Sequence, residues 1–302
     1  MKNIFVAIAS YRDPECQWTI KSLFEKAKCP ERIRVGVLWQ TIPEEDNHCF
    51  IEPYLYPNQV DEIFVHIVHA KGAGWAKNKA LNMCKNEDYT MMIDSHMRFG
   101  QDWDEEYIKM LESIDNPKSL LSTYPAPYTP PDELTHYTAI AIMGDFHDSK
   151  VPNPSSKIVE ISQPKINPFI AGGFIFAPSN LFKEVEYDPY MYFHGEEIGY
   201  SVRLYTNGWD VYSPHICLIY HYYGRIEAKR QWSDDTNWPA LDRLSIDRIK
   251  HLLKIENSSD TSVLQELDTK YGLGSVRTLE EYEEWCGYSF VNQQMNVGTW
   301  NN

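Results

Sequence analysis

Residues 4–9, Ile-Phe-Val-Ala-Ile-Ala, form an unbroken apolar run that ends abruptly in the polar turn Ser10-Tyr11-Arg12-Asp13-Pro14. A run without polar alternation suits a strand covered on both faces, and such strands belong to mostly parallel sheets sandwiched between helices. The next segment has a different period. Trp18, Ile20, Leu23, Phe24 and Ala27 mark one face of a helix that stops near Cys29-Pro30. Ile33, Val35, Val37 and Leu38 then restore strand character over residues 32–40. Strand, helix and strand at this spacing predict a βαβ unit with a right-handed crossover. Ligands of such sheets bind beyond the carboxyl ends of the strands, so Ser10, Tyr11, Arg12 and Asp13 lie at the rim of a predicted site.

The same reading places further strands at 63–68, 89–93, 120–124, 169–178, 209–212 and 216–220, with helices at 103–114, 179–185 and from Glu196 to about 207. Residues 42–59 are a long polar connection containing proline. Residues 125–168 read as a loop-rich insertion with strands near 138–143 and 158–161, the kind of segment that forms a lid or an acceptor surface. His136, His147 and Asp148 within it read as surface residues. Beyond 226 the pattern turns helical, at 237–254 and 262–271, and Thr278 with Glu281 forms a capping box for a short last helix. The expected division is therefore a catalytic α/β domain at 1–230 and a helical C-terminal appendage at 231–302. Leu244, Ile246, Ile249, Leu252 and Leu253 suit either cover for the chain's own core or an oligomer contact.

Composition narrows the partners. The formal net charge of −15 over 302 residues argues against binding bare nucleic acid or an anionic membrane surface. A nucleotide stays compatible, because a metal ion neutralises a diphosphate locally. No apolar stretch reaches the ~20 residues of a membrane helix, and residues 1–9 do not read as a targeting segment. The six cysteines lie at scattered positions without a C-x-x-C pair, which fits reduced thiols and a cytoplasmic location.

Four motifs carry chemistry. Asp94 and His96 follow the apolar run 89–93 and, in an extended strand, would point to one side. Carboxylate with imidazole suits Mn²⁺, Fe²⁺ or Zn²⁺ better than an all-oxygen cage for Ca²⁺ or Mg²⁺. His221, at another strand end, is the candidate third ligand. Lys71, Gly72, Lys77 and Asn78 lie at a glycine-containing helix start where backbone amides and cations can meet a diphosphate. Gly172-Gly173 interrupts an apolar strand and marks either a ligand's close approach or a bulge. His194-Gly195-Glu196-Glu197 opens a helix, where acids serve the helix dipole or a site.

Taken in order, Ser10–Asp13, Asp94-Ser95-His96, Gly195-Glu196-Glu197 and Tyr220-His221-Tyr222-Tyr223-Gly224-Arg225 resemble the GT-A glycosyltransferases. The nearest likeness is the family of UDP-GlcNAc:polypeptide α-N-acetylglucosaminyltransferases, which includes the Skp1-hydroxyproline GlcNAc-transferase. The polypeptide GalNAc-transferases, which share the D-x-H motif, are similar more distantly. Arg277-Thr278-Leu279-Glu280-Glu281-Tyr282 also looks like the family's tail, and the likeness is weakest from about 125 to 165.

This resemblance implies a GT-A fold and a retaining transferase that moves GlcNAc from UDP-GlcNAc to a hydroxyl, on a polypeptide or on a glycan. It implies Mn²⁺, or another divalent cation, on Asp94, His96 and His221, with Ser95 between two of them. Ser10–Asp13 would line the uridine pocket, Arg225 would pair with a phosphate, and Gly172, Gly173, Glu196 and Glu197 would face the sugar and acceptor, with Glu196 or Glu197 as the catalytic residue, serving as nucleophile, as stabiliser of an oxocarbenium-like state or as an acceptor-orienting partner. Lys71 and Lys77 stand where arginine is expected. Lysine keeps the charge but loses bidentate phosphate binding. A metal-dependent hydrolase is the alternative from another class, although it has no use for the uridine motif.

Overall fold

The computed structural model describes residues 1–146 and 149–295. Its elements run β1 (Ile4–Tyr11), α1 (Glu15–Lys26), β2 (Ile33–Thr41), β3 (Val60–His66), α2 (Ala73–Leu81), β4 (Tyr89–Asp94), β5 (Met97–Phe99), α3 (Trp103–Glu112), β6 (Ser119–Ser122), β7 (Ala126–Thr129), β8 (Glu133–Leu134), β9 (Thr138–Phe146) and β10 (Pro152–Val159). They continue as β11 (Lys165–Asn167), β12 (Phe174–Pro178), α4 (Leu181–Glu184), α5 (Glu196–Thr206), β13 (Asp210–Ser213), β14 (Ile219–His221), α6 (Gln231–Asp234), α7 (Trp238–Leu252), α8 (Thr261–Leu264) and α9 (Leu279–Cys286).

Eight strands form the main sheet in the order β11-β13-β6-β12-β4-β1-β2-β3. Strands β1 to β4 are mutually parallel, while β12 runs antiparallel between β4 and β6. The expected burial of β1 on both faces is what the structure contains. Ile4, Val6 and Ile8 join the core beneath α1 and α3, and Phe5 and Ala7 join the opposite core beneath α2 and α5. The pleat sends alternate side chains to opposite faces, so one strand anchors two helix layers.

A second sheet, β5-β14-β7-β8, stands at the carboxyl end of β4. Its β14 pairs antiparallel with β5 in a register that sets His221 opposite Met97. This small sheet decides the site, because it carries one histidine to the neighbourhood of another.

Several sequence expectations shift. The strand expected at 63–68 is Val60–His66, an edge strand that exposes Ile63 and Phe64. The strand expected across 169–178 begins only at Phe174, because Gly172-Gly173 forms a turn closed by the bridge between Ala171 and Phe174. Residues 125–168 are mostly strand rather than loop. There β9 and β10 form a hairpin whose second strand starts at Pro152, earlier than expected. Prolines are tolerated there since β10 is an outer strand paired only with β9 among the described residues. The helix expected at 262–271 covers only Thr261–Leu264. His147 and Asp148 lie outside the described residues, and the surface residue His136 is hydrogen-bonded to the Tyr220 hydroxyl at 2.8 Å.

The tail packs on the chain itself. Ile249, Leu252 and Leu253 from α7 and its cap bury against Ile198 and Val202 of α5, in a cluster that also holds Tyr282 of α9. Thr278 caps α9 and Glu281 completes the capping box, as the sequence predicts. No helix of the described residues is long and apolar enough to cross a membrane.

Leu253 is fully buried in this cluster. Replacing it with alanine deletes buried methyl groups and leaves a cavity, so Leu253→Ala should lower the unfolding free energy by about 2–5 kcal/mol in urea titrations. An unchanged midpoint would mean that the tail does not share the core of α5.

Candidate functional site

Asp94 is the last residue of β4, and the chain bends at Ser95-His96 before β5 begins. The two ligands are therefore not alternate residues of one extended strand, as the spacing suggested. The bend brings them together, and β14 adds His221 through its register with β5. Ligand atoms of Asp94, His96 and His221 all lie within 4.8 Å of one another. His221 Nε2 approaches Asp94 Oδ2 at 3.3 Å, and the two imidazole rings meet edge to face at 4.5 Å.

Asp13 holds this group from behind. Its Oδ2 meets His96 Nδ1 at 2.8 Å and accepts from Ser95 Oγ at 2.6 Å and from Arg225 Nη1 at 2.7 Å. With Nδ1 engaged, His96 keeps Nε2 for a metal, the orientation that a carboxylate behind a metal-binding histidine produces. Burial alone would raise the Asp13 carboxyl, but His96, Arg225 and Ser95 outweigh it and hold it well below the usual carboxylate range. Burial likewise opposes ionisation of Asp94. The His221 hydrogen bond and the charge of Lys77 overcome it, so Asp94 is also held low. One ionised carboxylate with two imidazoles fits a divalent cation of the Mn²⁺, Fe²⁺ or Zn²⁺ kind.

The triad opens into a cavity of about 570 Å³ at the carboxyl ends of β1, β2 and β4. Tyr11, Asp13 and Gln40 line it, and Gly172, Gly173, Glu196 and Glu197 form part of its wall with Lys77 and Tyr124. Arg225 and the segment Lys229 to Trp232 line it as well.

Four predicted contacts lie elsewhere. Ser10 is fully buried. Arg12 turns its guanidinium to Asp46 at 3.0 Å and to Asp234 at 3.2 Å, bracing the rim rather than lining it. Asn78 donates to the Tyr187 carbonyl at 2.7 Å, and Lys71 is exposed outside the lining.

The paired glutamates differ in environment. Glu196 Oε1 binds Lys77 Nζ at 2.6 Å, whereas its buried Oε2 has no hydrogen-bond partner among the described residues. Glu197 accepts from the Tyr124 hydroxyl and from the Gly172 amide, each at 2.6 Å. Desolvation in the wall, together with the neighbouring Glu196 charge, pushes Glu197 up to about 7. The glycine pair is explained by these carboxylates. A Cβ at Gly173 would stand 2.7 Å from Asp94 Oδ2, and one at Gly172 would stand 3.0 Å from Glu196 Oε1. Tyr124, Tyr192, Phe193 and Trp232 line the cavity without having been singled out from the sequence, since isolated aromatics carry no spacing signal.

The sequence profile of the family described as Glycosyltransferase (GlcNAc) matches residues 3–64 and 45–292. Among curated protein sequences, none matches this chain. Among solved structures, GalNAc-T7 with UDP, GalNAc and Mn²⁺ superposes with a TM-score of 0.61 at 15% identity, over 94% of this chain and 56% of that one. The chain thus spans little more than half of that relative. Staphylococcus aureus TarS 1-349 superposes with a TM-score of 0.53 at 9% identity, over 98% of this chain and 72% of that one. At these identities the likeness is one of fold, and the fold is GT-A.

Two outcomes are expected. Asp13→Asn leaves all three candidate metal ligands in place but removes the charge that orients His96, so Mn²⁺ affinity measured by electron paramagnetic resonance should fall ~10- to 100-fold. Unchanged affinity would remove Asp13 from the metal site. For Glu197, a native value near 7 lies above the ordinary 4.5. The folded state then holds a proton that the unfolded state releases between those values, so this group's stabilising effect is complete below about 4.5 and fades as pH rises through 7. Thermal melts should therefore show wild type losing ground to Glu197→Gln between pH 5 and pH 8, and parallel curves would refute the shift.

Proposed function

Because this chain belongs to the GlcNAc glycosyltransferase family, we propose that it transfers GlcNAc from UDP-GlcNAc to a hydroxyl of a polypeptide, on Ser, Thr or hydroxyproline, with retention at the anomeric carbon. A cytoplasmic location is part of this proposal, and the free cysteines support it. The observation that supports it best is the convergence of Asp94, His96 and His221 within 4.8 Å at the floor of a cavity that runs between Tyr11 and Glu197. The TM-score of 0.61 to a structure described with UDP, GalNAc and Mn²⁺ agrees with a nucleotide sugar of the N-acetylhexosamine type.

Bound by this triad, a divalent cation would neutralise the charge that the leaving diphosphate gains as the glycosidic bond breaks. The protein's own groups do the rest. Tyr11 and Gln40, which line the cavity, would meet the nucleoside. Arg225 keeps one arm on Asp13, and its remaining N–H groups serve a phosphate oxygen. Lys77 pairs with Glu196, and the charges of Glu196 and Asp94 raise it against the lowering effect of burial. It therefore stays charged when the donor arrives. Glu196 directs its unpaired Oε2 to a hydroxyl of the donor sugar or acceptor, while Glu197, fixed by Tyr124, holds the Gly172 turn against the sugar. No enzyme base is required where the departing phosphate accepts the acceptor's proton.

Incubation with Mn²⁺ and a panel of nucleotide sugars, with UDP release as the readout, tests the proposal. UDP-GlcNAc should be turned over, slowly with water as acceptor, and Asp94→Ala and His96→Ala should abolish it. Glu196→Gln should reduce kcat by about 10²- to 10³-fold, the scale of losing one preorganised group at the reacting centre. Turnover that survives chelation and both metal-site substitutions would exclude the metal assignment, and preference for another sugar would replace the donor.

A further inference from the structure

Three buried polar residues on one side of α7 have no place in a helix that only covers a core. Asp242, Ser245 and Arg248 are 6%, 0% and 1% exposed. All three hold the loop that leads into α5. Arg248 Nε donates to Asp188 Oδ2 at 2.7 Å, and Asp188 Oδ1 in turn accepts from the Tyr190 amide at 3.0 Å. Ser245 Oγ accepts from the Tyr192 amide at 2.6 Å. Asp242 takes both donors of His194, the amide at 3.1 Å on Oδ1 and Nδ1 at 2.7 Å on Oδ2.

The loop held in this way is cavity wall, since Tyr192, Phe193, His194 and Gly195 all line it. It also holds the start of α2. Ala73 N donates to the Tyr192 carbonyl at 2.6 Å, and Gly74 N donates to the Met191 carbonyl at 3.1 Å. Gly72 is left with no room for a Cβ, which would stand 2.5 Å from Tyr192 Cα. One turn along α2, Lys77 reaches Glu196, the residue that directly follows the loop. A closed circuit results, from α7 through the loop to α2 and back through Lys77 to Glu196.

We infer that Asp242, Ser245 and Arg248 are positioning residues for the transfer reaction, through which the C-terminal helix sets the cavity wall at Tyr192 to Gly195 and the placement of Lys77 and Glu196. The inference rests on the transferase reading above. Buried ionised groups destabilise unless they are paired and hydrogen-bonded, so apolar residues would cover α5 more favourably. Here the polar groups confer a fixed loop geometry. Small displacements at a reacting centre are costly, up to about 10²-fold for 1 Å.

The test compares Asp242→Ala, Asp242→Asn, Ser245→Ala and Leu253→Ala with wild type in Mn²⁺-dependent UDP release from UDP-GlcNAc, well below each melting temperature. Asp242→Ala should lower kcat/KM by ~10- to 100-fold. Asp242→Asn should recover much of that, because its Oδ1 still accepts from the His194 amide. Ser245→Ala, which removes the hydrogen bond from the Tyr192 amide and the weaker one to the Leu241 carbonyl within the helix, should lower kcat/KM by roughly three- to tenfold. Leu253→Ala, which touches only the apolar cluster, should melt earlier yet keep wild-type kcat/KM. Variants of Asp242 and Ser245 that lose melting temperature but not activity overturn the inference while leaving the function standing. A wild-type protein that neither binds UDP with Mn²⁺ nor turns over any nucleotide sugar overturns both.

Discussion

One buried carboxylate joins the parts of this site. Asp13 comes from the end of β1, His96 and Ser95 from the bend after β4, and Arg225 from the segment after β14, and all three meet a single oxygen at 2.6 to 2.8 Å. A charge at 3% exposure is tolerable only with such partners. The same contacts that stabilise it align His96, a candidate metal ligand, tie the small sheet to the main one, and anchor Arg225 at the cavity lining. Fold and site are thus stabilised by a shared set of bonds.

The rest of the cavity handles a problem of like charge. Asp94, Glu196 and Glu197 share one wall in a chain whose formal net charge is −15. Lys77 answers Glu196, and the hydroxyl of Tyr124 with the amide of Gly172 answers Glu197. The Glu197 carboxyl is nevertheless raised, first by desolvation in the wall and then by the neighbouring Glu196 charge. A cation held by Asp94, His96 and His221 would remove part of that excess. Lysine suits the role at position 77 because its point charge contacts one carboxylate oxygen and leaves the other open, where a guanidinium fork would engage both.

Legibility differed by element. Strand β1 was readable because burial on both faces abolishes alternation, and α9 because its capping box is a local signal. The glycine pair was readable as special but not as to why, since the carboxylates that exclude a Cβ come from β4 and α5. The second strand of the 138–159 hairpin was expected only near 158–161 because Pro152 and Pro154 argue against a strand, yet both are tolerated on an outer strand. Arg12 read as a nucleoside contact, yet its guanidinium is neutralised by Asp46 and Asp234, residues far away in the chain. Asp242, Ser245 and Arg248 gave no signal, because a buried polar face on a helix looks like an exposed one until the opposing loop is known.

The sequence by itself determined the layer architecture, the order of the motifs and the identity of all three metal-ligand candidates. Those depend on periodicity and residue chemistry, which are local. Tertiary structure alone decided that the candidate ligands meet through a bend and a cross-strand register, that Asp13 hydrogen-bonds His96, and that the C-terminal helix holds the cavity wall. Each of these depends on a bond between residues separated by 48 or more positions, such as Asp242 with His194. No periodicity within a segment encodes such a contact, because the partner is chosen by the packing of the whole chain.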